Sequence, residues 1–211
     1  MVAYIVLRTR RYRAMRVIAG KYGGRPLRSL NGKDTRPTSD RLRETLFDVL
    51  TGGKPAALER TVWLDLFAGT GAVGIEALSR GAQQVFFVET SAPATKVIEQ
   101  NLLNLKIADG YRILSDDLAG VLWRLQREHV TADIVFLDPP YQMREAYELT
   151  LTALADSALI WAMSLVIAEH EKKFDPGPEF GALRRVRKLV QGNSTLSFYR
   201  IGGRPNLNDE K

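Results

Sequence analysis

The sequence of 211 residues contains no cysteine and only two histidines, His129 and His170. Disulfides, a thiolate nucleophile and a cysteine-based zinc site are therefore excluded, and a histidine-rich metal site is not expected. No apolar run approaches the roughly 20 residues that a membrane-spanning helix needs. The opening apolar stretch, residues 2–7, is too short for the core of a signal peptide. We expect a cytoplasmic protein that uses neither a metal nor a membrane.

Positive charge is concentrated at the start of the chain. Residues 1–43 hold 12 Lys and Arg against 2 Asp and Glu, a net charge of +10, whereas the remainder holds 18 against 22, a net charge of −4. A basic arm on a mildly acidic body is typical of contact with a polyanion such as nucleic acid. We expect a monomer with a basic arm and hairpin over 1–37, one catalytic domain over 38–203 and a tail over 204–211. Met15 is an alternative first residue.

Apolar segments alternate with glycine-containing turns along the rest of the chain, which predicts an α/β fold with a Rossmann-like, mostly parallel sheet. A helix is predicted from Ser39-Asp40 to about Gly52. The last two strands are joined by only four residues and must be antiparallel. The segment Glu169-His170-Glu171 is interpreted as a solvated strand end. The other predicted strands are 62–67, 85–88, 112–114, 133–137 and 164–169, and the last two strands are 184–190 and 195–201. The other predicted helices are about 72–80, 91–104, 117–127 and 144–156. A small hairpin is predicted over about 16–27.

A glycine loop follows the first predicted strand of the sheet. Gly69, Gly71 and Gly74 have the G-x-G-x-x-G spacing at a strand-to-helix junction, and the acidic Glu89 ends the next strand, where it can bind a ribose. An adenosine-containing cofactor is therefore predicted. Asp65, just before the loop, would repel the pyrophosphate of a dinucleotide but suits the ammonium of S-adenosylmethionine. A further acid at Asp116 or Asp117 could meet the adenine or cap the helix that follows.

The tetrapeptide Asp138-Pro139-Pro140-Tyr141 follows an apolar strand, Ile134–Leu137. Ligands bind at the carboxyl ends of strands in open α/β sheets. The Asp138 carboxylate and the backbone carbonyls of Asp138 and Pro139 can accept N–H bonds from an exocyclic amine, and the Tyr141 ring can stack on a base. Prolines fix φ and donate no N–H. The tetrapeptide therefore predicts a site for a planar amine, with a simple strand end as the alternative.

Taken together, these motifs resemble those of a known family. Asp65–Gly71 is similar to the first motif of class I S-adenosylmethionine-dependent methyltransferases, and Asp138–Tyr141 to the fourth motif of the amino-methyltransferases. Residues 15–201 as a whole resemble the bacterial 16S rRNA guanine-N2 methyltransferase family RsmD. The segments that carry this resemblance, in the family's order, are Arg16–Lys21, Arg36–Arg41, Asp65–Arg80, Asp138–Tyr141 and Leu196–Arg200.

The resemblance implies a seven-stranded sheet with one antiparallel strand, a small N-terminal hairpin, and methyl transfer to the N2 of one guanine in 16S rRNA, within an assembling small ribosomal subunit. It implies catalytic roles for Asp138, Pro139 and Tyr141. Residues implied to bind the cofactor are Asp65, Phe67, Gly69, Thr70, Gly71, Glu89 and Asp117, and residues implied to bind RNA are Arg16, Lys21, Arg25, Arg36 and Arg41. Alternatives are an adenine-N6 methyltransferase acting on DNA or RNA, an NAD-dependent dehydrogenase, and an RNA-binding assembly factor without catalysis.

Overall fold

The computed structural model describes residues 15–30 and 39–202 of the chain. These residues form one eight-stranded sheet, in the order β3-β2-β1-β4-β5-β8-β7-β6, with five α-helices. The strands are β1 Val62–Leu66, β2 Gln84–Val88, β3 Tyr111–Leu114, β4 Ile134–Leu137, β5 Leu165–Glu171, β6 Glu179–Phe180, β7 Leu183–Gln191 and β8 Ser194–Ile201. The helices are α1 Asp40–Thr51, α2 Ala72–Ser79, α3 Ala92–Leu105, α4 Leu118–Arg127 and α5 Glu145–Ala155.

The predicted fold class is confirmed. Strands β1 to β5 are parallel, and β8 runs antiparallel to both β5 and β7. The strand number is eight and not seven, because β6 pairs antiparallel with the start of β7. A strand of two residues is too short to show an alternating pattern in sequence. Among the helices of the described segments, none has the length and apolar character that a membrane crossing requires.

The order of the strands indicates which edge of the sheet binds a ligand. The chain builds outward from β1 through β2 to β3 and then returns to the other side of β1 with β4, so β1 and β4 flank the switch point where such sheets bind ligands. Helices α1, α2 and α3 pack on one face, around Leu46, Val73 and Ile98, and α4 and α5 on the other, around Leu125 and Leu151. Both faces are covered, as continuous apolar strands require.

The predicted N-terminal hairpin is present and packs on the first of these faces. Arg16 and Pro26 form its antiparallel bridge, and a short 3-10 helix, Gly20–Tyr22, lies between its two arms. Its apolar side chains Val17 and Leu27 are 0% and 5% exposed and belong to the core of the first face. Residues 15–27 are therefore built into the α/β core through their apolar side.

Buried polar side chains join this hairpin to α1, α2 and α3. Glu76 accepts the backbone N–H groups of Ile18 (2.6 Å) and Ala19 (3.0 Å). The buried Asn101 amide accepts the N–H of Arg28 (2.7 Å) and donates to the carbonyl of Thr70 in the glycine loop (3.1 Å). Arg43, fully buried, donates to the carbonyl of Arg16 (2.7 Å) and to Asp40 (2.6 Å). Since a buried charge is stable only when paired, these contacts fix the hairpin beside the glycine loop.

Candidate active site

A cavity of about 660 Å³ opens at the carboxyl ends of β1, β2 and β4. The structure brings together here every residue predicted for catalysis or cofactor binding except Gly71. Those that line the cavity are Asp65, Phe67, Gly69, Thr70, Glu89, Asp117, Asp138, Pro139 and Tyr141. Residues that lie more than 70 positions apart in sequence therefore share one site, and its volume is in the range of cofactor pockets, roughly 300–1,000 Å³.

The glycine loop turns sharply between β1 and α2. Phe67, the first residue after β1, already has a positive φ of 60°. Gly71 has a φ of 74° and is the residue that caps the start of α2. This left-handed conformation strains residues with a side chain, which explains the glycine. Gly71 therefore allows the turn of the loop without lining the cavity, whereas Gly69 and Thr70 line it.

Asp65 is a buried carboxyl group within β1, and it is only 2% exposed. It accepts the backbone N–H of Gly74 in the first turn of α2 at 2.9 Å. Burial raises the pKa of Asp65 from 3.8 to about 8, and the nearby charge of Glu89 acts in the same direction, against the hydrogen bond from Gly74. Gly74 allows this approach of α2, because a Cβ there would lie 2.3 Å from the Phe87 ring. A cationic ligand group beside Asp65 would stabilise its ionised form.

Glu89 follows β2 and closes the other side of the loop. One carboxylate oxygen accepts the N–H of Gly69 and the other the N–H of Ser91, each at 2.8 Å. A carboxylate oxygen has two lone pairs, so both oxygens retain capacity for the hydroxyls of a ribose. The side chain is thus fixed in place before any ligand arrives.

Asp117 and Asp116, which the sequence could not tell apart, have different surroundings. Asp117 lines the cavity and caps α4 by accepting the N–H of Gly120 at 2.9 Å. Asp116 is paired with Arg124 on the surface, and its side chain is 65% exposed. Asp117 is therefore the one of the two acids that lines the cavity, and it does so while capping α4.

The tetrapeptide Asp138–Tyr141 leaves the sheet directly after β4, which lies between β1 and β5. Pro139 is buried, whereas Pro140 is exposed. The carbonyl of Pro140 accepts the N–H of Met143 at 2.7 Å. Behind it, the buried Tyr147 of α5 donates its hydroxyl to the carbonyl of Glu169 at 2.8 Å. Burial, and then the charges of Asp138 and Glu169, raise the pKa of Tyr147. Asp138 is therefore presented to the cavity on a rigid turn.

The predicted RNA-binding residues lie around the hairpin and α1, except Arg36, which is outside the described residues. Lys21 and Arg41 are exposed. Arg16 is half-exposed and lies 3.7 Å from the carboxylate of Asp40. Arg25 donates to the carbonyls of Asn104 (2.7 Å) and Leu105 (3.1 Å) at the end of α3. Arg25 thus holds α3 to the hairpin, a role that sequence reasoning did not predict.

Apolar residues at the mouth of the cavity were also missed. Three apolar residues line it: Leu30, which follows the hairpin, Met143, which precedes α5, and Leu149, which lies on α5. Met143 and Leu149 are 51% and 70% exposed. For Leu149, an apolar residue at an exposed position of the predicted helix 144–156 could have indicated this surface. Within residues 15–30 and 39–202, no three His, Cys, Asp or Glu side chains are grouped as a metal site.

The interpretation of Glu169-His170-Glu171 as a solvated strand end was wrong. Glu169 and His170 are 3% and 0% exposed. The physical reason is the pairing of β5 with β8, which continues as far as Glu171 and Ser194. The His170 ring contacts the Ser197 hydroxyl at 2.9 Å, and burial lowers the pKa of His170. A neutral, hydrogen-bonded histidine is a stable core residue.

The residues of the main cavity fit S-adenosylmethionine. The buried Asp65 suits its ammonium, Glu89 suits the ribose, and Asp117 with the apolar Leu118 and Leu122 suits the adenine. An opposite charge within a few ångström favours the ionised form of a buried carboxylate. A diphosphate would instead meet a carboxylate at Asp65, which disfavours the dinucleotide alternative.

Comparison with known proteins agrees with this geometry. A family model described as "Conserved hypothetical protein 95" matches residues 15–200. Ribosomal RNA small subunit methyltransferase D of Escherichia coli is 35% identical over 157 residues, 74% of this chain and 75% of the relative, and YlbH of Bacillus subtilis is 31% identical over 90% of this chain and 100% of the relative. The solved structure of Escherichia coli yhhF is 30% identical, with a TM-score of 0.73 over 89% of this chain and 97% of that chain.

The matches run through the hairpin, the glycine loop and the last strands alike. They confirm the family that the sequence motifs indicated, together with S-adenosylmethionine as the cofactor of this methyltransferase. The chain belongs to the ribosomal RNA small subunit methyltransferase D family.

Proposed function

We propose that this protein transfers the methyl group of S-adenosylmethionine to the exocyclic N2 of a specific guanine in 16S rRNA, within an assembling small ribosomal subunit. The observation that carries the proposal is that Asp138, Pro139 and Tyr141 line the same cavity as the buried Asp65 and the glycine loop. The groups that would accept the N–H bonds of the amine and the groups that would hold the methyl donor therefore line one cavity. The names of the small-subunit relatives from Escherichia coli and Haemophilus influenzae support the choice of RNA.

In this proposal, Asp138 and the Pro139 carbonyl prepare the amine for reaction. The N2 lone pair of guanine is delocalised into the ring and is a poor nucleophile. Two acceptors that bind its two N–H groups would draw the nitrogen towards a pyramidal form and aim its lone pair into the cavity. Positioning of this kind is the main contribution expected from the protein.

Asp138 also receives the surplus proton in this proposal. S-adenosylmethionine, when bound, supplies a methyl group whose bond to the sulfonium sulfur breaks as the new bond to nitrogen forms. The amine is acidic only once it carries the methyl group, so Asp138 need not be a strong base beforehand. It holds one N–H throughout and passes that proton to water afterwards. Tyr141 would stack on the base after it leaves its RNA loop.

The basic residues beside the site would bind the RNA backbone. Arg16, Lys21 and Arg41 lie on the hairpin and at the start of α1, and Arg36 precedes that helix in sequence. Arg25 uses part of its guanidinium on α3, but five N–H donors leave others for a phosphate. Because phosphate contacts release counterions, this part of the affinity should fall steeply with salt.

Mapping the transferred methyl group tests the proposal. The purified protein is incubated with isotopically labelled S-adenosylmethionine and either small ribosomal subunits or free 16S rRNA from cells that lack this gene. Mass spectrometry of nuclease fragments should find label as N2-methylguanine at one position. Label as N6-methyladenine, or in a DNA duplex offered in parallel, would favour the adenine alternative and contradict the guanine proposal. Reactions with 23S rRNA serve as the control.

Substitutions of Tyr141 test the stacking role. Tyr141→Ala should lower kcat/KM by about 5- to 150-fold, since stacking of a base on an aromatic ring contributes roughly 1–3 kcal/mol. Tyr141→Phe keeps the ring and should stay within about threefold of the native protein. Steady-state methyl transfer measures both. A Phe variant as inactive as the Ala variant would assign the role to the hydroxyl and not to the ring.

A further inference from the structure

A second group of exposed basic residues, outside the hairpin, lies at the carboxyl edge of the sheet. Lys172 and Lys173 directly follow β5, and both are exposed. Within residues 15–30 and 39–202, no acidic side chain pairs with either lysine. Because β4 and β5 are parallel, the lysines emerge at the same edge of the sheet as Asp138. Two unpaired cations therefore lie beyond the carboxylate that is proposed to hold the target amine.

The register of the strands gives the distance from these lysines to Asp138. Leu137 of β4 is in register with Ala168 of β5, so Asp138 is level with Glu169, the next residue of β5. Lys172 follows Glu169 by three residues. At a rise of about 3.3 Å per residue, the backbone of Lys172 lies roughly 10 Å beyond Asp138 along the strand direction. This length is comparable with the span from the amino edge of a guanine to the phosphate of the same nucleotide.

The acidic residues on either side of the lysines are paired with other cations. Glu171, the last residue of β5, lies 3.8 Å from the guanidinium of Arg144, which belongs to the segment between the tetrapeptide and α5. Asp175 is paired with Arg185 at 2.5 Å and with Lys188 at 2.9 Å. Since each carboxylate already has a cationic partner, the turn after β5 keeps a positive charge.

The charge around the site differs between the two faces of the sheet. On one face, α5 begins with the exposed Glu145 and Glu148. On the other side of the tetrapeptide, the N–H of Lys172 donates to the carbonyl of Asn193 at 2.9 Å, in the turn between β7 and β8. That turn and Arg41 at the start of α1 line one small cavity. A polyanion is therefore attracted along the line from α1 to the turn after β5 and repelled from α5.

We propose that Lys172 and Lys173 bind the phosphates that flank the target guanine, so that the RNA strand crosses the site between α1 and the turn after β5. This inference rests on the proposed function and adds to it the path of the RNA strand. A guanine that has left its stack reacts only if its backbone is held close to the site. The lysine ammonium is a point charge that binds phosphate. The hairpin residues and the two lysines would then contact the backbone on different sides of the base.

Removing both charges tests the phosphate contacts. The double variant Lys172→Gln, Lys173→Gln should raise KM for RNA by about 2- to 30-fold, the combined range for two exposed ion pairs. Both kcat and S-adenosylmethionine affinity should stay within about twofold, because neither lysine lines the main cavity. The slope of log affinity against log salt should become shallower by about 1.4, since each phosphate contact on a single strand contributes roughly 0.7.

The matched control is the double variant Lys54→Gln, Lys106→Gln. These two lysines are also exposed, but they precede β1 and follow α3 at the opposite edge of the sheet. The control should leave both KM and its salt dependence unchanged. An unchanged KM in the Lys172 and Lys173 variant, or a higher KM with the native salt dependence, would overturn the proposal.

A neutral phosphate analogue tests where the lysines act. Methylphosphonate replaces one phosphate at a time on either side of the mapped guanine, in a synthetic segment ligated into 16S rRNA. With the native protein, at least one replacement should raise KM by about 1.5- to 5-fold, the range for one exposed ion pair. The same replacement should have no effect on the Lys172 and Lys173 variant, because the partner is already gone. Effects of equal size in the two proteins would contradict contact with the flanking phosphates.

Failure of this inference differs from failure of the proposed function. A native protein that methylates guanine, with a lysine variant that keeps the native KM and salt dependence, would reject only the role of Lys172 and Lys173. A native protein that leaves guanine unmethylated would reject the proposed function itself. The melting temperature of each variant establishes that it is folded.

Discussion

Asp65→Asn is expected to weaken S-adenosylmethionine binding by about 30- to 5,000-fold, because removing one partner of a buried charge pair costs roughly 2–5 kcal/mol. Asn is nearly the same size and retains an oxygen to accept the N–H of Gly74, which Asp65 now binds at 2.9 Å. The loop should therefore keep its shape. Isothermal calorimetry on the native and variant proteins measures the loss.

The same substitution should stabilise the protein without cofactor. The pKa of Asp65 is raised from 3.8 to about 8 by burial, so the folded protein retains a proton that the unfolded chain gives up above about pH 4. Its contribution to stability is full below pH 4 and is lost progressively as the pH rises towards 8. Asn does not ionise. The variant should melt roughly 2–8 °C higher than the native protein at pH 8, with a much smaller difference at pH 4.

Cofactor affinity of the native protein should rise between pH 6 and 8 for the same reason, since the carboxyl must ionise to bind an ammonium. Asp109→Asn, the same change at an exposed turn, should alter neither the affinity nor the melting temperature. An Asp65→Asn variant that binds S-adenosylmethionine normally would show that Asp65 does not meet the ammonium. A lower melting temperature at pH 8 would contradict its raised pKa.

The α/β frame and the edge that carries the site were predictable from sequence because their signals are local. The predicted first strand at 62–67 and helix at about 72–80 match Val62–Leu66 and Ala72–Ser79 to within a residue. Apolar runs, capping residues and the glycine loop each act over a few positions. Parallel order then places Asp65, Glu89 and Asp138 at one edge without any knowledge of their contacts.

The features that sequence reasoning missed depend on distant partners. Glu76 and Ile18 are 58 positions apart, and Asn101 and Arg28 are 73 apart. No periodicity shows that a helix glutamate will accept backbone N–H groups from a basic N-terminal segment. Glu169 was misread in the same way, because its burial depends on β8, the strand that pairs beside it later in the chain. A charged residue in the sequence therefore does not show by itself that its side chain is exposed, because its neighbours in the folded structure decide whether it is buried.

These distant contacts have a consequence for RNA binding. Asn101 bonds both to Arg28 and to the carbonyl of Thr70, so the basic segment and the glycine loop are held by one amide. Deleting the whole arm would remove Val17 and Leu27 from the core and would damage the fold together with the affinity. Single substitutions of Lys21 and Arg41, which are exposed, would test the proposed RNA contacts without removing core residues.

Asp138→Ala is expected to lower methyl transfer by about 10²–10⁴-fold, the range for loss of a group that handles a proton in the transition state. Affinity for S-adenosylmethionine should change by less than about threefold, because the groups expected to hold the cofactor, Asp65, Glu89 and the glycine loop, belong to β1, β2 and their connections and not to β4. Asp138→Asn keeps one acceptor but cannot take a proton, and its activity should lie between the two. Single-turnover transfer to small-subunit RNA and direct cofactor titration measure the two effects separately.

Asp116→Ala is the control for this prediction, because Asp116 also follows a strand at the same edge but is exposed and paired with Arg124. It should keep full activity. Substantial transfer by Asp138→Ala would reject the acceptor role that the proposed mechanism assigns to this carboxylate. Equal loss of cofactor binding and of transfer would mean that Asp138 shapes the cavity and does not act on the amine. Only selective loss of transfer agrees with a carboxylate that holds the N–H of the base while the methyl group moves.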